Sequence, residues 1–257
     1  MKQERPTGNI QVILRAAAIL DLFTEGQEEW RFRELVAASG LNKSTVFNIV
    51  NTMHACGILE QDEETRRYRL GVRMIRYGDA AQRSLKVLAF AEPHLTALRD
   101  AMNETVQLAE LDGANTVYVS KVDSTQPVHI YSDPGKALPA YATALGKAML
   151  AYRGREYLDR HLPGPYPKLT ERTITNQPAL LRELQKVREQ GFSCDDMELA
   201  DDMICFAAPV FDHRGRAAYA ISMSTPSYRM TDERRAEIPL LLKREAAALS
   251  RELGYRD

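Results

Sequence analysis

The stretch Ser39-Gly40-Leu41-Asn42-Lys43-Ser44-Thr45-Val46 decides the fold of the N-terminal part of this chain. Glycine after a short helix is the usual left-handed cap and permits a sharp turn, and Asn42 is a suitable N-cap for the helix that follows. That helix has one apolar face, formed by Val46, Ile49, Val50 and Met53. The rest of its surface is mostly polar near the start and carries Lys43, Ser44, Thr45, Phe47, Asn48 and Asn51. This is the helix-turn-helix pattern, in which the second helix enters the DNA major groove.

Two more helices are predicted upstream of this turn. The first ends near Glu25-Gly26 and has an apolar stripe at helical spacing, formed by Ile13, Ala17, Leu20 and Phe23 and widened by Ile19 and Leu22. The second is short and ends at Ser39-Gly40; its apolar residues are Phe32, Leu35 and Val36. The apolar face of the recognition helix must pack on these two helices.

A β-hairpin is predicted directly after the recognition helix. Residues 58–61 and 67–70 alternate in the manner of strands, and the polar residues 62–65 join them. The hairpin and the residues after it are rich in arginine and contain no acid from residue 66 to residue 76: Arg66, Arg67, Arg69, Arg73 and Arg76. Arginines at such a wing neutralise phosphates and supply affinity without sequence information. A protein-docking module or a solvated charged face is the alternative, but the combination favours DNA.

Composition limits the class of protein. With 257 residues, 44% hydrophobic and 27% charged, the chain predicts a soluble protein of two domains. The net charge of −1 means that a surface for double-stranded DNA must be a local patch. Residues 1–6 lack the apolar core of a secretory signal, and no run approaches the ~18 apolar residues that span a bilayer, so we expect a cytoplasmic protein without a membrane partner.

These motifs resemble the IclR-type transcriptional regulators. Residues 39–46 resemble that family's entry to the recognition helix, and Tyr68-Arg69-Leu70-Gly71 its wing exit. Residues 142–148, Gly191-Phe192 and residues 205–210 resemble the motifs of its effector domain, in the same order. The match covers nearly the whole chain. It implies an α+β protein with an N-terminal winged helix-turn-helix domain and a GAF-like α+β effector-binding domain.

The predicted domain boundaries follow from this match and from the hydrophobic pattern. We expect a DNA-binding domain over residues 1–72, a linker helix over 73–89 and an effector-binding domain over 90–257. In the last, the pattern predicts a helix starting near Pro93, strands at 106–111, 117–119 and 128–131, helices at 141–152 and 180–190, a strand pair, and a final helix from about Thr231. Mixed strands and helices of this kind indicate an antiparallel sheet flanked by helices.

The strand pair predicts one part of a pocket. If Asp212-His213-Arg214-Gly215 forms a tight hairpin, Cys205 lies opposite Ser222 and Met203 opposite Ser224. Ala207 and Ala220 share that small-residue face, whereas the other face is bulky: Phe206, Val210, Ile221 and Met223. The bulky face suits the core, and the small face leaves room for a ligand or is simply tightly packed.

The resemblance implies that Asp195, Cys205, Ser222 and Ser224 contact a small acidic effector. The backbone N–H groups of Ala144 and Leu145 are candidates for binding a carboxylate if a helix starts there. Tyr141 stands where the family usually has histidine, which favours a larger, aromatic acid. Asn48 replaces a common arginine on the recognition helix, so we expect a different operator preference.

The leading hypothesis is therefore a repressor that binds a pseudo-palindromic operator as a homodimer or homotetramer and responds to a carboxylic acid. No cofactor or metal is expected, since the five histidines are not spaced as metal ligands. The rival hypothesis is a small-molecule thiol enzyme that uses Cys205, with the N-terminal domain serving only to dimerise. A constitutive architectural DNA binder is a third alternative. Acidic residues around Cys194 and Cys205 disfavour a reactive thiol, because negative charge raises a thiol pKa.

Overall fold

The computed structural model of the protein describes residues 10–24, 27–127 and 132–256. It divides into two compact units, Met1–Leu85 and Lys86–Asp257. Within the described ranges, no helix combines the length and the apolar character needed to cross a membrane. The predicted end of the first helix at Glu25-Gly26 and the predicted strand at 128–131 lie outside the described residues.

Unit one is a three-helix fold with a small sheet and a trailing helix. Its elements are α1 (Gln11–Asp21), β1 (Trp30–Arg31), α2 (Phe32–Ser39), α3 (Lys43–Ala55), β2 (Leu59–Gln61), β3 (Arg67–Leu70) and α4 (Arg73–Ser84). The three strands are antiparallel in the order β1-β3-β2. The core contains Ile19, Leu35, Val46, Val50 and Leu59. This is the predicted winged helix-turn-helix fold, with β1 as a strand that the hydrophobic pattern did not indicate.

Local chemistry explains the turn between α2 and α3. Gly40 has φ 64°, the left-handed conformation that favours glycine. Asn42 caps α3, because its Oδ1 accepts hydrogen bonds from the Thr45 N–H and the Ser44 hydroxyl, both at 2.9 Å. The wing turn uses the same device, since Asp62 Oδ1 accepts from the Thr65 N–H at 2.7 Å. The predicted caps are therefore present.

The predicted apolar stripe of α1 is wrong in one respect. Ile19 and Phe23 are buried in the core, but Ile13 is 62% exposed and Ala17 is also exposed. Their side of α1 faces outward and forms an open apolar groove with Ile49, Met53 and Ile58. The three-helix core is too small to bury both sides of α1, so helical spacing identified the apolar residues without identifying which of them reach the core.

Unit two contains one large sheet and five helices of its own among the described residues. The elements are α5 (Val87–Met102), β4 (Thr105–Asp112), β5 (Asn115–Val122), β6 (Ala137–Pro139), α6 (Ala144–Leu150), α7 (Arg155–His161), α8 (Gln177–Gln190), β7 (Ser193–Asp196), β8 (Met203–Phe211), β9 (Ala217–Pro226) and α9 (Asp232–Glu252). The six strands are antiparallel in the order β6-β5-β4-β9-β8-β7. This confirms the predicted α+β fold; β6, α7 and β7 were not predicted.

The sheet separates two layers. Helices α5 and α9 contact strands of the sheet and one another, and α6 contacts β4, β7, β8 and β9. Small residues from the strands meet α6 in a tightly packed cluster that includes Ala109, Ala207, Ala220 and Ala148. Gly146 of α6 lies directly on the backbone of Ala140, where a Cβ has no space. Small side chains therefore let α6 lie close against the sheet.

The predicted linker helix over 73–89 is two helices. α4 ends at Ser84, whose hydroxyl donates to the Ala81 carbonyl at 2.6 Å and competes with the helical backbone. α5 then begins at Val87, earlier than the predicted start near Pro93, and Pro93 lies inside it. Val87 and Ala91 are buried in unit two, so packing holds the first turns of a helix that the proline would otherwise end.

The predicted register of the β8–β9 hairpin is wrong by two residues. Cys205 lies opposite Ser224, and Ala207 lies opposite Ser222. The turn is one residue longer than predicted, because the Asp212 N–H bonds to the Arg216 carbonyl at 2.9 Å, and a bulge beyond Val210 adds the second residue. An even shift returns each side chain to the same face, so the predicted small and bulky faces are both present.

Candidate functional site

The recognition helix α3 presents a polar start to solvent. Lys43, Ser44 and Asn48 are exposed, Thr45 is half-buried, and Phe47 is 52% exposed. The ring of Phe47 packs edge-on against that of Phe32 at 6.0 Å, which holds an apolar surface at this position. The five predicted α3 residues therefore lie together at one end of a helix whose opposite face is core.

The wing arginines are not equivalent. A guanidinium nitrogen of Arg67 lies 4.0 Å from Glu34, and that of Arg69 lies 3.2 Å from Glu60. A backbone hydrogen bond from Arg31 lowers the pKa of Glu34, and one from Val72 lowers the pKa of Glu60, so both partners are ionised at neutral pH. These acids lie outside residues 66–76, which is why the sequence pattern did not reveal them.

Arg66 differs from the other two wing arginines. It is exposed at the tip of the wing, and its guanidinium has no hydrogen bond or ion pair within the described part of the chain. Its φ of 57° is a conformation that non-glycine residues rarely adopt. Arg66 therefore combines a strained backbone with a side chain that no described residue holds and that can contact a phosphate.

A small cavity lies between α6 and the small-residue face of the sheet. Its volume is about 20 Å³, space for roughly one water molecule. It is lined by Tyr118, Thr143, Ala144, Leu145, Asp195, Leu199, Cys205, Ser222 and Ser224. Six of the seven predicted effector residues therefore meet at one place, although they come from α6, β7, β8 and β9.

Tyr141 is the predicted effector residue that does not reach this cavity. Its ring stacks on Tyr166 at 4.6 Å, and its hydroxyl donates to the Pro167 carbonyl at 2.8 Å. It belongs to a separate core cluster with Leu180 and Leu184. The aromatic side chain that lines the cavity is Tyr118 of β5, which the sequence analysis missed.

Gln107 on β4 organises the polar side of the cavity. Its Oε1 accepts hydrogen bonds from the hydroxyls of Ser222 at 2.8 Å and Ser224 at 3.2 Å, and the Cys205 thiol donates to Ser224 at 3.1 Å. Gln107 Nε2 donates to Ser132 at 3.1 Å. A buried glutamine between the apolar residues of β4 was a signal available in the sequence, since an unpaired amide is costly to bury.

Asp195 is a buried carboxyl group in the cavity wall. Its Oδ1 accepts the backbone N–H groups of Glu198 at 2.7 Å and Leu199 at 3.3 Å. Burial raises the pKa of Asp195 to about 7, because these two hydrogen bonds and the charge of Lys147 only partly offset the loss of solvation. Asp195 therefore changes its charge close to neutral pH.

Lys147 on α6 is a buried cation next to the cavity. Its side chain is 0% exposed, its ammonium pairs with Glu198, and Glu183 lies 3.9 Å away. The Thr173 hydroxyl donates to the Glu198 carbonyl at 2.7 Å, which fixes the loop that carries this partner. A buried charge is stable only when it is paired in this way. A lysine within a helix gave no sign of burial in the sequence.

The first turn of α6 faces the cavity. Thr143 caps this helix, since its hydroxyl accepts from the Gly146 N–H at 3.0 Å. The N–H groups of Ala144 and Leu145 belong to the first turn and have no acceptor within the helix. They remain candidates for contact with an acidic group.

Cys205 lacks the features of a reactive thiol. Burial and the neighbouring Asp195 raise its pKa, whereas a nucleophilic cysteine needs a lowered one. Burial likewise raises the pKa of Cys194 to about 12. No group of three or more His, Cys, Asp or Glu side chains among the described residues is placed to hold a metal ion.

Sequence comparison finds the same two-part organisation. Residues 12–63 match the model of the IclR helix-turn-helix domain, and residues 80–251 match that of the bacterial transcriptional regulator IclR C-terminal domain. The chain is 35% identical over 247 residues to the HTH-type transcriptional regulator XynR of Escherichia coli, covering 96% of this chain and 98% of the relative. It is 33% identical over 255 residues to KdgR of the same organism, an HTH-type transcriptional regulator, covering 99% and 97%.

Solved structures give the same result. A putative IclR transcriptional regulator from Silicibacter sp. TM1040 superposes with a TM-score of 0.85 at 26% identity, covering 95% of this chain and 97% of that one. An IclR homologue from Microbacterium hydrocarbonoxydans, complexed with 4-hydroxybenzoate, shares the fold with a TM-score of 0.74 at 22% identity, covering 94% and 98%. The curated relatives are transcriptional regulators, so the thiol-enzyme hypothesis has no support.

Proposed function

We propose, from the premise that this chain belongs to the IclR family of helix-turn-helix transcriptional regulators, that it is a repressor controlled by a small carboxylic acid. The observation that carries the proposal is the exposed polar start of α3 beside an arginine-bearing wing. We assign DNA binding to residues 1–72, linkage to 73–89 and effector binding to 90–257. Acting on DNA, such a regulator works in the cytoplasm.

The DNA-binding residues divide into two roles. The start of α3 reads base edges in the major groove, and we assign this role to Lys43, Ser44, Thr45, Phe47 and Asn48. The wing neutralises phosphates through Arg66, Arg67 and Arg69. Asn48 suits adenine because an amide can bond to N6 and N7 together, and the Phe47 ring suits a thymine methyl group.

A second copy of this chain is the proposed occupant of the apolar face of α1. Val12 and Ile13 are more than half exposed on this face, and Ile10 and Leu14, at and near the start of α1, are exposed to a similar extent. Arg15 is the one charged residue between Gln11 and Leu20. Such a face is costly in water and is typical of a subunit interface. A homodimer with two-fold symmetry, alone or paired into a homotetramer, would read a pseudo-palindromic operator.

The effector site is the cavity beneath α6. The proposed contacts are the Ala144 and Leu145 N–H groups, Asp195, Cys205, Ser222 and Ser224, with the Tyr118 ring in place of Tyr141. A cavity of about 20 Å³ is too small for an organic acid, so it must open on binding. Opening of the cavity can change the affinity of the protein for DNA only if the acid binds the DNA-competent and the DNA-incompetent states with different affinity. The 4-hydroxybenzoate in a protein of the same fold supports an aromatic acid.

The DNA-binding part is tested on an operator selected from random sequences with the full chain. Asn48→Ala should change the preference at one base pair by about 1–3 kcal/mol, because it removes one direct base contact. Arg67→Ala should weaken binding to all sequences alike and flatten its salt dependence. The matched control is Asn115→Ala, in the other unit. If Asn48→Ala and Arg67→Ala behave identically on every sequence, the division of roles is wrong.

The effector part is tested by a thermal-shift screen against aliphatic and aromatic carboxylic acids. An acid at 100 times its Kd should stabilise the protein by about 2.7 kcal/mol. The shift should disappear in a Ser222→Ala, Ser224→Ala double variant and persist in Ser227→Ala, whose side chain lies outside the cavity. A shift that persists in the double variant would place the site elsewhere.

A further inference from the structure

The effector cavity has an acidic group in its wall and, among the residues that the structure describes, no basic side chain beside it in that wall. Asp195 is the carboxyl group in its wall, and no Lys, Arg or His within residues 10–24, 27–127 and 132–256 lines it. An organic acid that enters as its anion therefore meets a second carboxylate in a site whose lining residues are mostly buried. Two carboxylates that share one buried site cannot both ionise without a large free-energy penalty.

The neighbouring groups do not remove this conflict. Lys147, on α6, already pairs with Glu198 and does not line the cavity. Tyr118, on β5, and Cys205, on β8, have pKa values raised mainly by burial, so both stay neutral near pH 7. Cys194, on β7, is neutral for the same reason. Glu198 opposes Asp195 with a like charge but faces Lys147.

The geometry of Asp195 shows where a proton would be held. Oδ1 already accepts two backbone N–H groups, so this oxygen is the less favourable one to protonate. Oδ2 has no hydrogen-bond partner within the described part of the chain. A proton on Oδ2 converts Asp195 from a repelling anion into a hydrogen-bond donor at the cavity wall.

We propose that the acid binds together with one proton, which Asp195 carries on Oδ2 and donates as a hydrogen bond to the carboxylate of the effector. The inference rests on the proposed function, because it takes an organic acid as the ligand of this cavity. It adds that effector binding, and with it release from the operator, is coupled to pH.

The direction of the pH dependence follows from the raised pKa. With a pKa of about 7 in the free protein, Asp195 is mostly protonated at pH 6 and mostly ionised at pH 8.5. Apparent affinity scales with the protonated fraction, so it should fall about 30-fold between these two pH values. Below pH 6 it should be constant.

The experiment is calorimetric titration of the full chain with benzoate, 4-hydroxybenzoate and lactate, whose carboxyl groups are ionised over the whole range. Affinity is measured from pH 6 to pH 8.5 at constant ionic strength. At pH 8.5 the titration is repeated in two buffers of different ionisation enthalpy, which counts the protons taken up. We expect close to one proton per bound acid. This measurement needs no variant and so does not depend on how a substitution folds.

Asp195→Asn is the decisive variant. Its amide oxygen can accept the Glu198 and Leu199 N–H groups, and its NH₂ group replaces the protonated Oδ2. We expect it to bind at pH 8.5 about as tightly as the native protein binds at pH 6, with a flat profile. Asp196→Asn is the matched control, because Asp196 pairs with Arg172 at 2.6 Å and Arg235 at 2.9 Å outside the cavity.

Each outcome has a distinct meaning. A falling profile that Asp195→Asn abolishes and Asp196→Asn retains supports the inference. Binding of a probe with a flat profile and no proton uptake overturns it and leaves the proposed function intact, as does a slope that Asp195→Asn retains. No binding of any probe at pH 6 overturns the proposal of an acid effector and this inference with it.

Discussion

The start of α3 and the cavity beneath α6 are both polar sites, but they are built in opposite ways. The recognition surface comes from adjacent residues on one helix and is open to water, and the wing charges beside it are solvated. The cavity is lined by residues of α6, of four strands and of the loop after β7, and most of its polar groups are hydrogen-bonded through Gln107 or through Asp195 Oδ1. A polar group on the surface costs little free energy because water hydrates it. A buried polar group needs a hydrogen-bond partner within the protein to offset the loss of hydration.

This difference implies different tolerance to change. A substitution on the recognition surface should alter binding and leave the free energy of unfolding nearly constant. A substitution around the cavity should alter stability first, because it removes a partner from a buried group. Three predictions address this contrast, in order of decreasing effect.

Lys147→Met should have the largest effect. It leaves the Glu198 carboxylate buried without its cation and should lower the free energy of unfolding by about 3–5 kcal/mol. Lys186→Met is the matched control: this lysine is 69% exposed and lies 3.7 Å from Glu183, so we expect a change within about 0.5 kcal/mol. Urea denaturation followed by circular dichroism measures both. Equal effects in the two variants would mean that Lys147 is hydrated, and the contrast would not hold.

Gly146→Ala should have an intermediate effect. The added Cβ meets the Ala140 backbone, which cannot move aside as a flexible side chain can, so we expect a loss of about 1–3 kcal/mol. Gly78→Ala, in α4, meets open space and should raise stability by up to about 1 kcal/mol, because alanine favours helix. The same denaturation curves report both changes. A neutral Gly146→Ala would show that α6 does not lie as close to the sheet as described.

Arg66→Gln should have the smallest effect, and only on DNA. Stability should change by less than about 0.5 kcal/mol, because the guanidinium has no partner among the residues that the structure describes. The slope of log affinity against log salt should fall by about 1, the value of one lost phosphate contact. Arg69→Gln should change this slope less, since Arg69 already pairs with Glu60 at 3.2 Å. Fluorescence anisotropy over a salt series distinguishes them, and a larger effect from Arg69→Gln would reverse this assignment.

The local elements of the recognition surface were predictable from neighbouring residues. Gly40 has no Cβ to oppose a left-handed turn, and Asn42 caps the helix three residues before Thr45. Both features involve residues fewer than five positions apart, so neighbouring residues were enough to predict them. Strand alternation is equally local, which is why the small face of β8 and β9 was correctly predicted even though its register was not.

The composition of the cavity depended on contacts between distant parts of the chain. The hairpin register is the exception, because it follows from a contact within the turn: the Asp212 carboxylate accepts the N–H groups of Arg214 and Arg216 and lengthens the turn. Gln107 meets Ser222 because β4 pairs with β9, more than a hundred residues away. Whether Tyr118 or Tyr141 lines the cavity depends on the packing of α6 against the sheet. Such pairings depend on the whole core, and hydrophobic patterns report which face of a strand is apolar without reporting what that face will meet.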